Sequence, residues 1–79
     1  MPRLRMFGPA RQAAGTGSAE VAVAGTVAEV LEWAVARYGA PFAELLPTCA
    51  VWVDGEPAGI DRRLAEDDEV AVLPPVSGG

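Results

Sequence analysis

A single helix, with sequence signals at both of its ends, restricts the fold of this chain more than any other feature. Thr26, followed three residues later by Glu29, is a capping box and predicts that the helix begins just after Thr26. Gly39 predicts a left-handed C-cap, and Pro41 prevents continuation. Between these signals one continuous apolar stripe recurs at three- and four-residue spacing: Val27, Val30, Leu31, Ala34, Val35 and Tyr38. We therefore predict one helix of about 12 residues whose apolar face lies on a sheet.

Short segments with strand character stand on both sides of this helix. Before it, residues 3–6 and 19–23 alternate polar and apolar side chains, which predicts a wide hairpin with one short helical turn at 10–14. After it, the pattern predicts a connecting turn at 42–46 that covers the open end of the core, and then a strand at 49–53 closed by Asp54-Gly55. A weakly extended stretch at 58–60 and a polar turn at 64–68 are predicted next. The last strand is predicted at 69–73 and is ended by Pro74-Pro75.

This order of elements predicts an α+β fold of the β-grasp type, in which a mixed sheet packs on one main helix. The first and last strands are expected to lie side by side and parallel, through a right-handed connection. A chain of 79 residues allows one domain, predicted at 1–75. Residues 76–79 are predicted to form a flexible tail.

The composition argues against several classes of function. Apolar residues make up 51% of the chain, yet no run approaches the ~18 residues of a membrane span, and the N-terminus lacks a signal-peptide pattern. We therefore expect a cytoplasmic protein with no membrane partner. One cysteine and no histidine predict that the chain binds no metal or cofactor itself. The net charge of −5 argues against nucleic acid and favours a basic protein surface as partner.

The end of the sequence combines a rigid segment with two glycines. Pro74-Pro75 restricts the backbone leaving the last strand and directs the following residues away from the sheet. Residues 74–79 can reach at most ~20 Å when extended. Gly78-Gly79 suits a narrow channel because neither residue carries a Cβ. This is the geometry of an arm that delivers a terminal carboxylate into another protein; the alternative is an ordinary frayed terminus.

The C-terminal residues resemble the closing signature of the MoaD/ThiS family of sulfur carriers. That signature is an apolar strand, Pro-Pro, Val, a small residue and Gly-Gly, here residues 70–79. Residues 4–11, with Ala13-Ala14-Gly15 after them, are similar to the first strand and arginine-bearing turn of the family. Within the family, the chain most resembles the small subunits of molybdopterin synthase. It departs from the family pattern at Asp54-Gly55 and at Asp67-Asp68, and neither departure touches the tail.

The resemblance implies a ubiquitin-like sulfur carrier whose catalytic side chains belong to its partners. A ubiquitin-activator-like adenylyltransferase would use ATP and magnesium to convert the Gly79 carboxylate to an acyl-adenylate. A sulfur donor would then displace AMP and leave a thiocarboxylate. In the molybdopterin pathway, the tail would enter the large synthase subunit of a heterotetramer and donate sulfur to cyclic pyranopterin monophosphate. Gly79, with Gly78 before it, would thus carry the chemistry.

The resemblance also implies a set of partner contacts. By position these fall on eight residues: Phe7, Arg11, Pro57, Leu73, Pro74, Pro75, Val76 and Ser77. Ordinary sheet packing is the alternative for Phe7 and Leu73, and we favour the interface for Leu73. Solvated charge is the alternative for Arg11.

Two further features have competing interpretations. Cys49 lies in an apolar segment with no basic neighbour in sequence, so we interpret it as a small hydrophobe rather than a persulfide carrier. The acidic residues 66–69 are interpreted as a solvated turn, with steering toward a basic activating enzyme as the alternative.

Three other functions stay open at this point. The first is a carrier for thiamine or another sulfur pathway, with the same tail chemistry. The second is a β-grasp adaptor whose tail is never activated. The third is a modifier that becomes attached to lysines of other proteins.

Overall fold

The central helix has the predicted bounds in the computed structural model, which describes residues 1–22 and 25–75. This helix, α2, spans Val27–Tyr38. The Thr26 backbone is extended, and its Oγ1 accepts a hydrogen bond from the Glu29 N–H at 3.4 Å. The Glu29 carboxylate in turn accepts from the Thr26 hydroxyl at 3.5 Å. Gly39 ends the helix with a φ of 85° but a ψ of −165°, so the predicted left-handed C-cap is wrong in ψ. The extended ψ turns the chain directly into the next helix.

Removing this N-cap tests how much α2 depends on it. We expect Thr26→Ala to lower the free energy of unfolding by about 1 kcal/mol, because the Glu29 N–H loses its acceptor at the helix end. Urea denaturation measures the change, and Thr26→Ser, which keeps the hydroxyl, is the matched control. Equal losses in the two variants would contradict a capping role.

Two further helices flank α2. Helix α1 spans Gly8–Ala14, and α3 spans Ala40–Leu45 and continues into a 3₁₀ turn at Leu46–Thr48. Helix α1 starts two residues earlier than the predicted turn, because proline in the first turn of a helix needs no N–H partner. The segment predicted as a connecting turn at 42–46 is largely helical for the same reason, since Pro41 lies in the first turn of α3.

Five strands form one mixed sheet in the order β2-β1-β5-β3-β4. Their bounds are Arg3–Met6 (β1), Ser18–Glu20 (β2), Ala50–Val53 (β3), Glu56–Pro57 (β4) and Glu69–Leu73 (β5). Strands β1 and β5 pair in parallel, and the other neighbours are antiparallel. The α+β β-grasp fold and the parallel pairing of the first and last strands are therefore confirmed.

Three strand predictions differ from the structure. Strand β3 begins one residue later than predicted, and β2 ends at Glu20. The strand predicted at 19–23 also included Val21 and Ala22, which are not part of β2, and Val23, which lies outside the described residues. The extended segment after Asp54-Gly55 is β4, not residues 58–60, because a two-residue turn returns the chain to pairing at once. Both turn residues have positive φ, 49° and 84°.

One face of the sheet and the apolar stripe of α2 enclose the core. Strands β1 and β5 contribute two alternate residues each, and β3, α1 and α3 contribute one residue each. The fully buried apolar side chains are Leu4, Met6, Ala10, Val21, Val27, Val30, Ala34, Phe42, Val53, Val70 and Val72. Because strand side chains alternate between faces, the residues between them lie on the opposite side of the sheet. No helix within 1–22 or 25–75 has the length and hydropathy needed to cross a membrane.

Candidate functional site

The chain leaves the sheet at the end of β5, beside the end of β1. The Phe7 N–H donates to the Val72 carbonyl at 3.1 Å, which extends the β1–β5 pairing by one bond. Gly8 has a φ of 57°, and a Cβ there would lie 3.4 Å from Cγ of Pro74. The positive φ and the nearness of Pro74 both favour glycine at position 8, at the point where the chain leaves the sheet.

The exposed prolines Pro74 and Pro75 begin the segment predicted to deliver the tail. Val76, Ser77, Gly78 and Gly79 lie outside the described residues. Their predicted roles, and the predicted boundary between a domain at 1–75 and a tail at 76–79, therefore stay predictions.

An apolar patch lies next to this exit, on the side of the sheet that faces away from the helices. Strand pairing places Ala71 opposite Trp52, and Trp52 in turn opposite Pro57. Leu73 pairs with Ala50 one step nearer the exit. We call this patch the outer sheet face and define it by Phe7, Trp52, Pro57, Ala71 and Leu73. Phe7 and Trp52 are 39% and 36% exposed, which is high for side chains of their size.

The structure brings three of the predicted partner contacts together on the outer sheet face. Phe7 and Leu73 lie near the exit, and Pro57 lies on the edge strand β4, where a residue without an N–H disturbs no further pairing. Arg11 is elsewhere: it is exposed on α1, with its side chain over Gly17. Whether any of these residues contacts a partner stays a prediction.

Sequence reasoning missed two residues of this region, Trp52 and Arg5. Arg5 lies in the same row as Ala71, with its guanidinium 5.5 Å from the centre of the Phe7 ring and 3.6 Å from the Glu69 carboxylate. A signal was present for Trp52, since strand alternation with Val53 directed inward places Trp52 outward. The uniformly apolar character of residues 49–53 concealed it.

The acidic turn before β5 is built by hydrogen bonds between carboxylates and backbone. Asp68 Oδ2 accepts from the Ala65 N–H at 2.8 Å, and Asp54 Oδ1 accepts from the Glu69 N–H at 2.9 Å. The Ala65 N–H, followed by the Asp54 side chain, holds the pKa of Asp68 below its ordinary value of 3.8. The turn is thus more than a run of solvated charge, because the Asp68 carboxylate binds back within it and Asp54, from the turn after β3, binds the first residue of β5.

This depressed pKa predicts a specific pH dependence of stability. Protonation of Asp68 weakens its bond to the Ala65 N–H, so its contribution is present above the unfolded-state pKa and is lost as the pH falls through the folded-state pKa. We expect Asp68→Asn to reduce the fall in unfolding free energy between pH 5 and pH 2, measured by urea denaturation. Asp61→Asn is the control, and an unchanged pH profile in Asp68→Asn would contradict the prediction.

Cys49 has the surroundings of a structural residue. Its half-buried thiol donates to the Leu45 carbonyl, with Sγ 3.3 Å from the oxygen, and packs against the core. In the ranges that the structure describes, no three side chains of the histidine, cysteine, aspartate or glutamate type converge as metal ligands would. What the described residues present at the chain exit is the exposed apolar surface of the outer sheet face.

A model of the ThiS family matches residues 4–79. The molybdopterin synthase sulfur carrier subunit of Phaeosphaeria nodorum is 41% identical over 51 residues, which cover 54% of this chain and 53% of that protein. The matched region thus spans about half the length of this curated relative.

Solved structures share the whole fold. SAMP1 from Haloferax volcanii, a small archaeal modifier protein, has a TM-score of 0.85 at 28% identity, covering 99% of this chain and 98% of its own. The putative molybdopterin converting factor subunit 1 from Pyrococcus furiosus has a TM-score of 0.80 at 25% identity, covering 95% and 97%. These matches confirm the ubiquitin-like β-grasp predicted from the order of elements.

Proposed function

Because this chain belongs to the ThiS family, we propose that it is a ubiquitin-like sulfur carrier whose Gly79 carboxylate is converted to a thiocarboxylate. The observation that carries the proposal is the family match, which extends through residue 79 and so includes Gly78-Gly79. The exit of β5 beside the exposed outer sheet face supports it, since a carrier needs a recognition surface close to its reactive arm.

The proposed chemistry converts the Gly79 carboxylate to a thiocarboxylate in three steps. An adenylyltransferase with ATP and magnesium forms the acyl-adenylate and releases pyrophosphate, which gives the carboxyl carbon a good leaving group. The terminal sulfur of a donor persulfide attacks that carbon and displaces AMP, forming an acyl disulfide. A thiol reductant then supplies two electrons, cleaves the S–S bond and leaves the thiocarboxylate. This chain contributes the carboxylate and its presentation, and the partner supplies the catalytic side chains.

For the pathway, we propose that the chain is the small subunit of molybdopterin synthase. The curated relative carries that subunit's name, and the Pyrococcus furiosus protein is a putative subunit of the molybdopterin converting factor. The partners are then the adenylyltransferase, a sulfur donor and the large synthase subunit, with the tail donating sulfur to cyclic pyranopterin monophosphate. The outer sheet face, which includes Phe7 and Leu73, would contact the large subunit.

A second candidate is attachment of the Gly79 carboxyl group to lysines of other proteins. The likeness to SAMP1, a modifier protein, favours it. The same activated carboxyl carbon would serve, with an amine in place of sulfur as the nucleophile. A sulfur carrier for thiamine or another pathway shares the tail chemistry and differs only in the acceptor enzyme.

Intact-mass spectrometry tests the proposed function. The protein is incubated with ATP, magnesium, an adenylyltransferase and a sulfur source, and its mass is followed. We expect a gain equal to the exchange of one oxygen for sulfur, mapped by fragmentation to Gly79. Adding the large synthase subunit and the pyranopterin should then return the carrier to its original mass. No gain with an enzyme pair that thiolates another carrier would overturn the proposal, and amide adducts on lysines would favour the modifier.

A further inference from the structure

A groove with arginines along its wall lies on the β1–β2 side of the molecule. It encloses about 350 Å³, and its lining includes Arg3, Arg5, Phe7, Arg11, Gly17 and Ser18. It thus holds three of the six positively charged residues of a chain whose net charge is −5. Such a concentration of one sign of charge on an acidic protein needs a specific explanation, because the remaining surface repels anions in general.

Local contacts hold the arginine side chains in place. Arg5 lies over the Phe7 ring at 5.5 Å. The Arg11 side chain runs across the hairpin at Gly17, where a Cβ would lie 3.4 Å from Arg11 Nε. The absence of a side chain at Gly17 therefore leaves the space that Arg11 uses. Contacts of this kind reduce the conformational entropy that the guanidinium groups lose when they bind a ligand.

The acidic partners already present leave these arginines available. The Arg3–Glu20 and Arg5–Glu69 pairs are long, at 4.0 and 3.6 Å, and their side chains are between 43% and 63% exposed. Pairs of this kind contribute about 0–1 kcal/mol and exchange readily for a better acceptor. Among the described residues, no carboxylate lies within 4.0 Å of Arg11.

The spacing of the arginines identifies the kind of ligand. Arg3 and Arg5 point to the same side of β1, and a strand rises ~3.3 Å per residue, so they repeat at about 6.6 Å. Carboxylates on every second residue of an extended peptide repeat at the same interval. Guanidinium groups bind carboxylates in a bidentate geometry, and the equal spacing lets each arginine bind one carboxylate of such a peptide. We propose that the groove binds an extended acidic segment of the protein that receives the tail.

The position of the groove agrees with this assignment. Phe7 belongs both to the groove and to the outer sheet face, and Gly8, the next residue, lies so near the exit that a Cβ on it would be 3.4 Å from Cγ of Pro74. A segment seated on Arg5 and Arg11 is therefore continuous with a partner that covers the outer sheet face. The identity of that partner as the tail's acceptor rests on the proposed function, whereas the binding of an acidic peptide does not.

A nuclear magnetic resonance titration of the full chain tests the groove by itself. The probe is a blocked peptide with alternating Glu and Ser, and the control peptide has Lys in place of Glu. We expect saturable amide shifts confined to residues 3–7, 11, 17 and 18 with the Glu peptide only. The double variant Arg5→Gln/Arg11→Gln should weaken binding at least about tenfold, since two charge-assisted bonds are lost. Arg37→Gln, which removes an arginine stacked on Trp33 away from the groove, should bind as the parent does.

Three outcomes would overturn the proposal. They are an equal response to the Lys peptide, an equal loss in Arg37→Gln, and the same saturation with inorganic phosphate alone, which would make the groove a simple anion site. Because the titration contains no activating enzyme, these failures would leave the sulfur-carrier proposal standing. A failed mass gain at Gly79 would leave the groove standing.

Discussion

Deleting Gly79 is expected to reduce thiocarboxylate formation by at least about a hundredfold. The deletion leaves a carboxylate on Gly78 but withdraws it by ~3.4 Å, the length of one extended residue. A misplacement of ~1 Å at a reacting atom already costs about 10²-fold in rate. The rate of the oxygen-for-sulfur exchange, followed by intact mass under single-turnover conditions, measures the effect. Retained activity in this variant would contradict the carrier role.

Two controls separate reach from other effects of this deletion. Gly79→Ala keeps the carboxylate at the same distance and adds one methyl group, so its activity reports the width of the channel that receives the tail. The unfolding free energy of the deletion variant should equal that of the parent, because Gly79 lies beyond the last strand, which ends at Leu73. A lower unfolding free energy would mean that the loss of activity has a structural cause.

The two phenylalanines of the chain are expected to differ sharply in how much stability their replacement by alanine costs. Phe42 is fully buried, and the centre of its ring lies 5.4 Å from the centre of the Tyr38 ring. Phe42→Ala should therefore lower the unfolding free energy by about 3–5 kcal/mol. A chain of 79 residues has about 4–12 kcal/mol in total at the usual stability per residue. We therefore expect a largely or partly unfolded protein at 37 °C, measured by circular dichroism and urea denaturation.

Phe7→Ala is the matched change on the surface. Its ring is 39% exposed and contacts Arg5, so the unfolding free energy should fall by about 1 kcal/mol or less. The affinity for the large synthase subunit, measured by titration calorimetry, should fall at least about tenfold, as is usual when an aromatic anchor is lost from an interface. Undiminished affinity would show that the outer sheet face is not where this partner docks.

Elements with strong local signals were predictable from the sequence. The bounds of α2 follow from Thr26, Glu29 and Gly39, since capping depends on residues adjacent in the chain. The helix α3 was missed because six residues with a proline in the first turn carry the same local signals as a turn. What stabilises α3 is the burial of Phe42 against α2, which is a tertiary effect.

Three residues of the outer sheet face, Phe7, Pro57 and Leu73, were predictable from the family resemblance, which matches them by position. Phe7 and Leu73 flank the glycine and proline signals at the chain exit, and they do lie together on the sheet. Trp52 and Arg5 join them through strand pairing. The sequence of a single strand does not determine its register, because register depends on how two strands pair. The spatial relation of Arg11 to the groove likewise depends on how α1 packs.

The order of the strands in the sheet has a consequence for how the protein is made. Strand β5 is the middle strand, yet the ribosome synthesises it after the other four. Until Glu69–Leu73 emerge, β1 and β3 each lack a central neighbour, and the two halves of the sheet have no strand in common. Pairings between distant residues, such as Leu4 with Val70, are also slow to form. A chain that stops short of β5 therefore cannot complete the sheet, and a complete sheet is a sign that translation has reached the residues just before the diglycine.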